Sequence, residues 1–250
     1  MSGHSKWSQI KRQKGANDAK RGAVFTKIAR EITIAAREGG GDPDANYRLR
    51  LVMEKARYVN MPADNIKRAI ERASGTNAAD QFEEIIYEGY GPGGVAILVE
   101  AATDNRNRTA ADVRSVFTKN GGQLAGTGAV AWQFEPRGVV EVARNGIDPD
   151  EIALTAIDAG AEDVDTESDP IAVLTEPGNL ESLRTSLEGS GVKVESAEVT
   201  MQPKSQIEVD EHVARQNLRL IEALEDHDDV QRVTANFDLP NELLAEAAAT

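Results

Sequence analysis

Residues 139–200 read VVEVARNGIDPDEIALTAIDAGAEDVDTESDPIAVLTEPGNLESLRTSLEGSGVKVESAEVT, and the order of periods along this stretch decides the architecture. Residues 139–143 are a β-branched strand, 149–159 a helix, 163–166 and 171–175 two further strands, 180–188 a second helix and 192–200 a last strand. That order, βαββαβ, makes a complete ferredoxin-like unit.

Outside this unit the flanking segments are incomplete by themselves. On the N-terminal side, residues 82–87 and 95–101 read as strands around a glycine turn, 109–119 as a helix and 129–134 as a strand. On the C-terminal side a helix over 210–224, with Val213, Leu218, Leu220, Ile221 and Leu224 inward, is followed by a strand over 230–237. Joined, they form a second ferredoxin-like domain split by the first, with Glu135-Pro136 and Gln202-Pro203 as brackets. The predicted parts are therefore 76–135 plus 204–240 for the split domain and 136–203 for the inserted one, with a linker at 76–80 and a frayed tail at 241–250.

Residues 1–75 have helical periods only. Phe25, Ile28, Ile32 and Ala35 form one stripe, with Ile34 off it, and Gly39, Gly40 and Gly41 stop the helix. Asp42-Pro43 is expected to start a second helix carrying Leu49, Val52, Met53, Ala56 and Val59 inward. Pro62 opens a third with Ile66, Ala69, Ile70 and Ala73 inward. Such a bundle shows Arg48, Arg50, Lys55, Arg57, Lys67, Arg68 and Arg72 outward. Its last two helices can be read as a helix-turn-helix or as plain bundle packing; plain packing is the reading taken. The fold class is α+β: a helical bundle with a basic arm, then two α/β domains.

Charge divides the chain in the same place. Up to Gly75 there are 16 basic and 8 acidic residues, net +8; beyond it 12 basic face 34 acidic, net −22. Opposed halves point to separate modules with separate partners. Residues 1–30 hold Lys6, Lys11, Arg12, Lys14, Lys20, Arg21, Lys27 and Arg30 against Asp18 alone, with Trp7 among them and His4 beside them. A cationic segment on an acidic protein is attracted by polyphosphate while the remainder is repelled. Trp7 offers a ring on which a base can stack, and a protonated His4 adds charge. The first twenty-two residues have too few apolar groups to fold alone; extended, they reach about 70 Å at ~3.3 Å per residue.

Several chemistries are excluded. With no cysteine, there is no thiolate nucleophile, disulfide or zinc knuckle. No apolar run approaches the length of a membrane span and the N-terminus lacks a signal-peptide core, so a cytoplasmic protein is expected. Gly89-Tyr90-Gly91-Pro92-Gly93-Gly94 matches the dinucleotide spacing, yet a strand follows where a helix N-terminus would be needed; a tight turn accounts for it. Thr103-Asp104-Asn105-Arg106-Asn107-Arg108-Thr109 supplies helix caps, and Arg106 and Arg108 are the anion-binding candidates outside the basic part. Glu225, Asp226, His227, Asp228 and Asp229 lack the alternation of a calcium loop and are read as a solvated connection. The histidines His4, His212 and His227 fall in no catalytic motif. No enzyme, cofactor, metal or small-molecule substrate is expected.

Gly3-His4-Ser5-Lys6-Trp7, Ile10-Lys11 through Lys20, Phe25-Thr26-Lys27, Asn60-Met61-Pro62, the glycine turn and the Thr103–Thr109 segment, in this order, resemble the YebC/PmpR family over nearly the full chain. The tail after Pro240 falls outside the resemblance. It implies a three-domain cytoplasmic protein, generally a DNA-binding transcriptional regulator, with mitochondrial relatives that activate translation and a bacterial role at ribosomes stalled on proline-rich chains. The residues themselves support nucleic-acid contact and do not choose between DNA and RNA; with the resemblance, a non-enzymatic nucleic-acid-binding regulator of gene expression is expected. The alternative is a ribosome-associated translation factor contacting ribosomal RNA or tRNA. Neither reading involves a membrane.

Overall fold

The computed structural model describes residues 18–73, 82–239 and 243, with side chains from Gly22 onward. It is an α+β protein: three helices precede two four-stranded antiparallel sheets, each carrying helices.

Helix α1 spans Asp18–Gly39, α2 Tyr47–Tyr58 and α3 Ala63–Ala73. They enclose Ile28, Ile32, Ala35, Leu49, Ala56, Met61, Ile66 and Ala69, the stripes expected from the 3.6-residue period. The Thr33 hydroxyl donates to the Ala29 and Ala69 carbonyls and so ties α1 to α3. Two expectations change here. The chain is already helical at Asp18, so Lys20 and Arg21 lie on a helix rather than on an extended arm. And α2 starts at Tyr47, not at Asp42-Pro43, because Asn46 is the better cap. Its Oδ1 accepts from Leu49 N–H at 3.1 Å, while its amide donates to the carbonyls of Ala35 and Gly40, each at 2.8 Å. One side chain thus caps α2 and closes the end of α1, work that an exposed aspartate cannot do.

The first sheet has the order β3-β1-β2-β8, from β1 (Glu83–Tyr90), β2 (Ala96–Thr103), β3 (Gln123–Leu124) and β8 (Val230–Ala235). Helices α4 (Arg106–Lys119) and α7 (Glu211–Glu225) contribute Val113, Phe117, Leu220, Ile221 and Leu224 to its core, against Ile97, Val99 and Val233. The ferredoxin-like order expected for this sheet is not formed. β1 and β2 are hydrogen-bonded neighbours in a hairpin, since the turn between them is too short for a crossover helix. Gly91 N–H donates to Val95 at 2.8 Å across that turn, and Gly93 and Gly94 sit at φ of 73° and 79°.

The second sheet has the order β5-β6-β4-β7, from β4 (Phe134–Val142), β5 (Asp163–Asp165), β6 (Ile171–Thr175) and β7 (Val194–Pro203). Helices α5 (Pro149–Asp158) and α6 (Leu180–Gly189) cover it, burying Ile152, Leu180, Leu183 and Leu187 on Val140, Val142, Ile171 and Val173. All four strands lie in sequence between β3 and β8 of the other sheet.

Further expectations are corrected around β4. Residues 129–134 are not a strand; Ala131–Gln133 form a turn of 3-10 helix and Phe134 already begins β4. The third strand of the first sheet is instead the two-residue β3. Glu135-Pro136 and Gln202-Pro203 do not bracket the sheet but belong to it, with Glu135 opposite Gln202 and Pro136 opposite Met201. Proline is tolerated because β6 pairs with β4 only from Gly138 on, leaving that edge free. Of the expected frayed tail, Leu243 is buried in the first core, and the rest lies outside the described residues, as does the linker at 76–80.

A Cβ added at Gly89 would stand 2.6 Å from the Phe117 ring and 2.9 Å from the Gln123 carbonyl. Gly89→Ala is expected to destabilise the protein by about 1–3 kcal/mol through overpacking of α4 on β1, read as a lower urea midpoint at unchanged m.

Candidate nucleic-acid interface

Lys20 and Arg21 stand in the first turn of α1, at the end of a helix whose dipole disfavours cations, so their placement does nothing for the helix itself. They extend the cationic run of Lys6, Lys11, Arg12 and Lys14. Those four, with His4 and Trp7, lie outside the described residues.

Lys27 and Arg30, two turns further along, have other partners. The Lys27 ammonium donates to the Glu225 carbonyl at 2.5 Å, at the C-terminus of α7 where carbonyls are free to accept. The Arg30 guanidinium donates to the Asp228 carbonyl, pairs with Asp229 Oδ1 at 2.9 Å and lies 5.3 Å from the Phe82 ring centroid. Burial lowers the Lys27 pKa, outweighing the attraction of Glu225, Asp228 and Asp226. These two cations fasten α1 to the connection between α7 and β8.

That connection, read as solvated, has a buried end. Asp229 is 3% exposed. Its Oδ2 accepts from Thr109 Oγ1 at 2.7 Å, Arg108 Nη2 at 2.9 Å and Thr103 Oγ1 at 3.3 Å. Burial alone would push its carboxyl up, but Arg108, Thr109 and Arg30 hold it below the usual carboxylate range. His227 accepts the Asp229 N–H through Nδ1 at 3.1 Å, which leaves its Nε2 proton for Asp112 at 3.4 Å. Among the described residues no group of three or more His, Asp or Glu could hold a metal ion.

The anion candidates separate. Arg108 is spent on Asp229 and, at 2.7 Å, on Asp104. Arg106 remains 69% exposed on its side chain, with Glu83 at 3.7 Å. Asn105 caps α4 by accepting from Arg108 N–H at 3.1 Å, the capping role anticipated for this segment.

The outward cations of the three helices also divide. Arg48 pairs with Glu38 and with Glu84 on β1; Arg50 meets Glu181 on α6 at 3.3 Å; Lys55 meets Glu31 at 3.0 Å. Arg184 returns the contact from α6 to Glu54 at 2.7 Å. Arg57, Lys67, Arg68 and Arg72 stay exposed. Arg48 and Arg50 thus reach acids beyond the three-helix region, Lys55 is paired within it, and the others stay on its exposed faces.

Residues 5–76 match the model of the TACO1/YebC protein N-terminal domain, and residues 82–237 that of the TACO1/YebC second and third domain. The chain belongs to the TACO1/YebC family. Relatives of similar length include a "Probable transcriptional regulatory protein" of Rubrobacter xylanophilus, 54% identical over 99% of this chain and all of its own. A protein of the same name from Chloroflexus aggregans is 55% identical over 98% of each. The crystal structure of the conserved hypothetical protein Aq1575 from Aquifex aeolicus superposes with a TM-score of 0.85 at 46% identity, covering 89% of this chain and 92% of that one. This TACO1/YebC chain shares its α+β architecture. No helix of the described residues is long and apolar enough to cross a membrane.

Among residues the sequence reading passed over, Asp229 matters most. Its only signal was one more acid in an acidic run, and its burial depends on Arg30, Arg108 and Thr109, which are distant in the chain. Asp229→Asn should cost about 3 kcal/mol at neutral pH, because it removes the buried carboxylate that Arg30, Arg108, Thr109 and Thr103 all converge on. The wild-type contribution is present above the unfolded pKa of about 4 and is lost as pH falls through the lower folded value. Urea titrations across that range should show a fall in the wild type that is flatter in the variant.

Proposed function

We propose that this chain is a non-enzymatic, nucleic-acid-binding regulator of gene expression, acting on DNA in transcription as the names of its relatives suggest. In this reading residues 1–75 carry the nucleic-acid contacts. The split part, 76–135 with 204–240, and the inserted part, 136–203, supply the acidic body that is repelled by phosphate and so limits nonspecific coating.

The observation that supports it best is the division of labour along α1. Lys27 and Arg30 are engaged by the protein; Lys20 and Arg21 belong to the first turn of α1, where the helix dipole gives a cation no reward, and follow Lys6, Lys11, Arg12 and Lys14 in the sequence. Those six are the phosphate-neutralising set, with Trp7 as stacker and His4 as a further charge on protonation. Arg57, Lys67, Arg68 and Arg72 extend the same sign on the outer helices. Arg106, at the start of α4, is a secondary anion contact.

Six neutralised phosphates give a log–log salt slope of about −5 on duplex DNA and about −4 on a single strand. Lys20→Ala should reduce its magnitude by roughly one, while Lys27→Ala should lower stability and leave the slope unchanged. Fluorescence anisotropy against sodium chloride concentration measures both, and an affinity insensitive to salt refutes the proposal. Running duplex DNA and RNA in parallel separates transcription from the ribosomal alternative.

A further inference from the structure

The connection between β3 and β4 is built around one carboxylate. Glu88, on β1, is 4% exposed, and its oxygens accept from the backbone N–H groups of Gly128 at 2.6 Å, Val130 at 2.7 Å and Ala131 at 2.7 Å. Burial would push its carboxyl up, yet the three amides hold it below the ordinary value, so the charge is directed inward and satisfied. Val130 and Phe134 then pack on Ala96 and Leu98, anchoring the far side of the loop.

What this scaffold holds outward is aromatic. Trp132 is 68% exposed and Tyr90 37%. Trp132 Nε1 at 3.2 Å and Tyr90 Oη at 3.0 Å both donate to the Ala129 carbonyl. The polar edges of two rings meet at one oxygen, so what remains exposed is mainly ring carbon. The Lys204 ammonium donates to the Trp132 backbone carbonyl at 3.0 Å, which sets a cation at the base of this residue. No Asp or Glu occurs from Val113 to Phe134, in a chain that has 42 of them.

We infer that Trp132 and Tyr90, with Lys204, form a stacking site for an unpaired nucleobase of a single-stranded nucleic acid, far along the chain from the cationic N-terminus. The inference rests on the nucleic-acid reading above. Two pre-positioned rings offer the flat apolar surface that any base can cover, and the ammonium suits the adjoining phosphate. The residues flanking Trp132 from Val113 to Phe134 add no carboxylate that would repel a phosphate. A paired base inside a duplex presents only its edges and cannot enter such a site.

The full-length Trp7→Phe chain has Trp132 as its one tryptophan and reports the site by its own fluorescence. Oligo-dT and oligo-U of about 20 nucleotides should quench it, whereas blunt duplex of equal length should not. In the same background Trp132→Ala should weaken oligonucleotide binding roughly ten-fold with an unchanged salt slope, and Trp132→Phe should retain most of the affinity. If Trp132→Ala binds as tightly as its parent and no quenching is seen, the stacking site is wrong while the phosphate reading stands. If the wild-type chain binds no oligonucleotide or duplex at all, both fall. Quenching by an unrelated peptide but by neither oligonucleotide would overturn the assignment in favour of a protein partner.

Discussion

The structure depends on a buried carboxylate being fully surrounded by donors. Asp229 lies at the start of β8 and gathers Arg30 from α1, Arg108 and Thr109 from α4 and Thr103 from the end of β2. A lone buried charge would cost several kcal/mol; one with four donors becomes a fixed point that sets how neighbouring elements meet. Its own carbonyl accepts from Ala102 N–H, which holds the edge of β8 to β2 where the ladder is interrupted by a bulge. Position of the helices, closure of the first sheet and orientation of α4 thus share one group.

This arrangement gives the opposed charges of the chain a structural use. Several cations of the three-helix region reach acids of the two α/β units: Arg48 meets Glu84 on β1, Arg50 meets Glu181 on α6 and Arg30 meets Asp229 just before β8. Exposed pairs among these contribute little individually, and their value lies in orientation. With these cations occupied, Arg57, Lys67, Arg68 and Arg72 remain on the exposed faces of α2 and α3.

Much of the secondary structure was legible in the sequence because each element has a strong period. The stripe of Ile28, Ile32 and Ala35, the apolar strand after the glycine turn and the βαββαβ order of residues 139–200 all reappear in the folded chain. The errors cluster where a single side chain overrides local pattern. Asn46 moved the start of α2, and Glu88, by taking three backbone amides, turned an apparent strand at 129–134 into a turn. A strand assignment rests on β-branched and aromatic content, and Val130, Trp132 and Phe134 have that content without ladder partners in the first sheet.

For the candidate interface, the sequence by itself determined the sign and location of charge and the absence of cysteine chemistry, since these are sums over residues and need no coordinates. Only the tertiary structure decided which of the described cations are engaged. Lys27 and Arg30 look no different from the other cations of residues 1–30 in the sequence, and what engages them is that residues almost two hundred positions away, after the end of α7, offer them carbonyls and a carboxylate. Burial and pairing are long-range properties, fixed by contacts that local spacing does not encode.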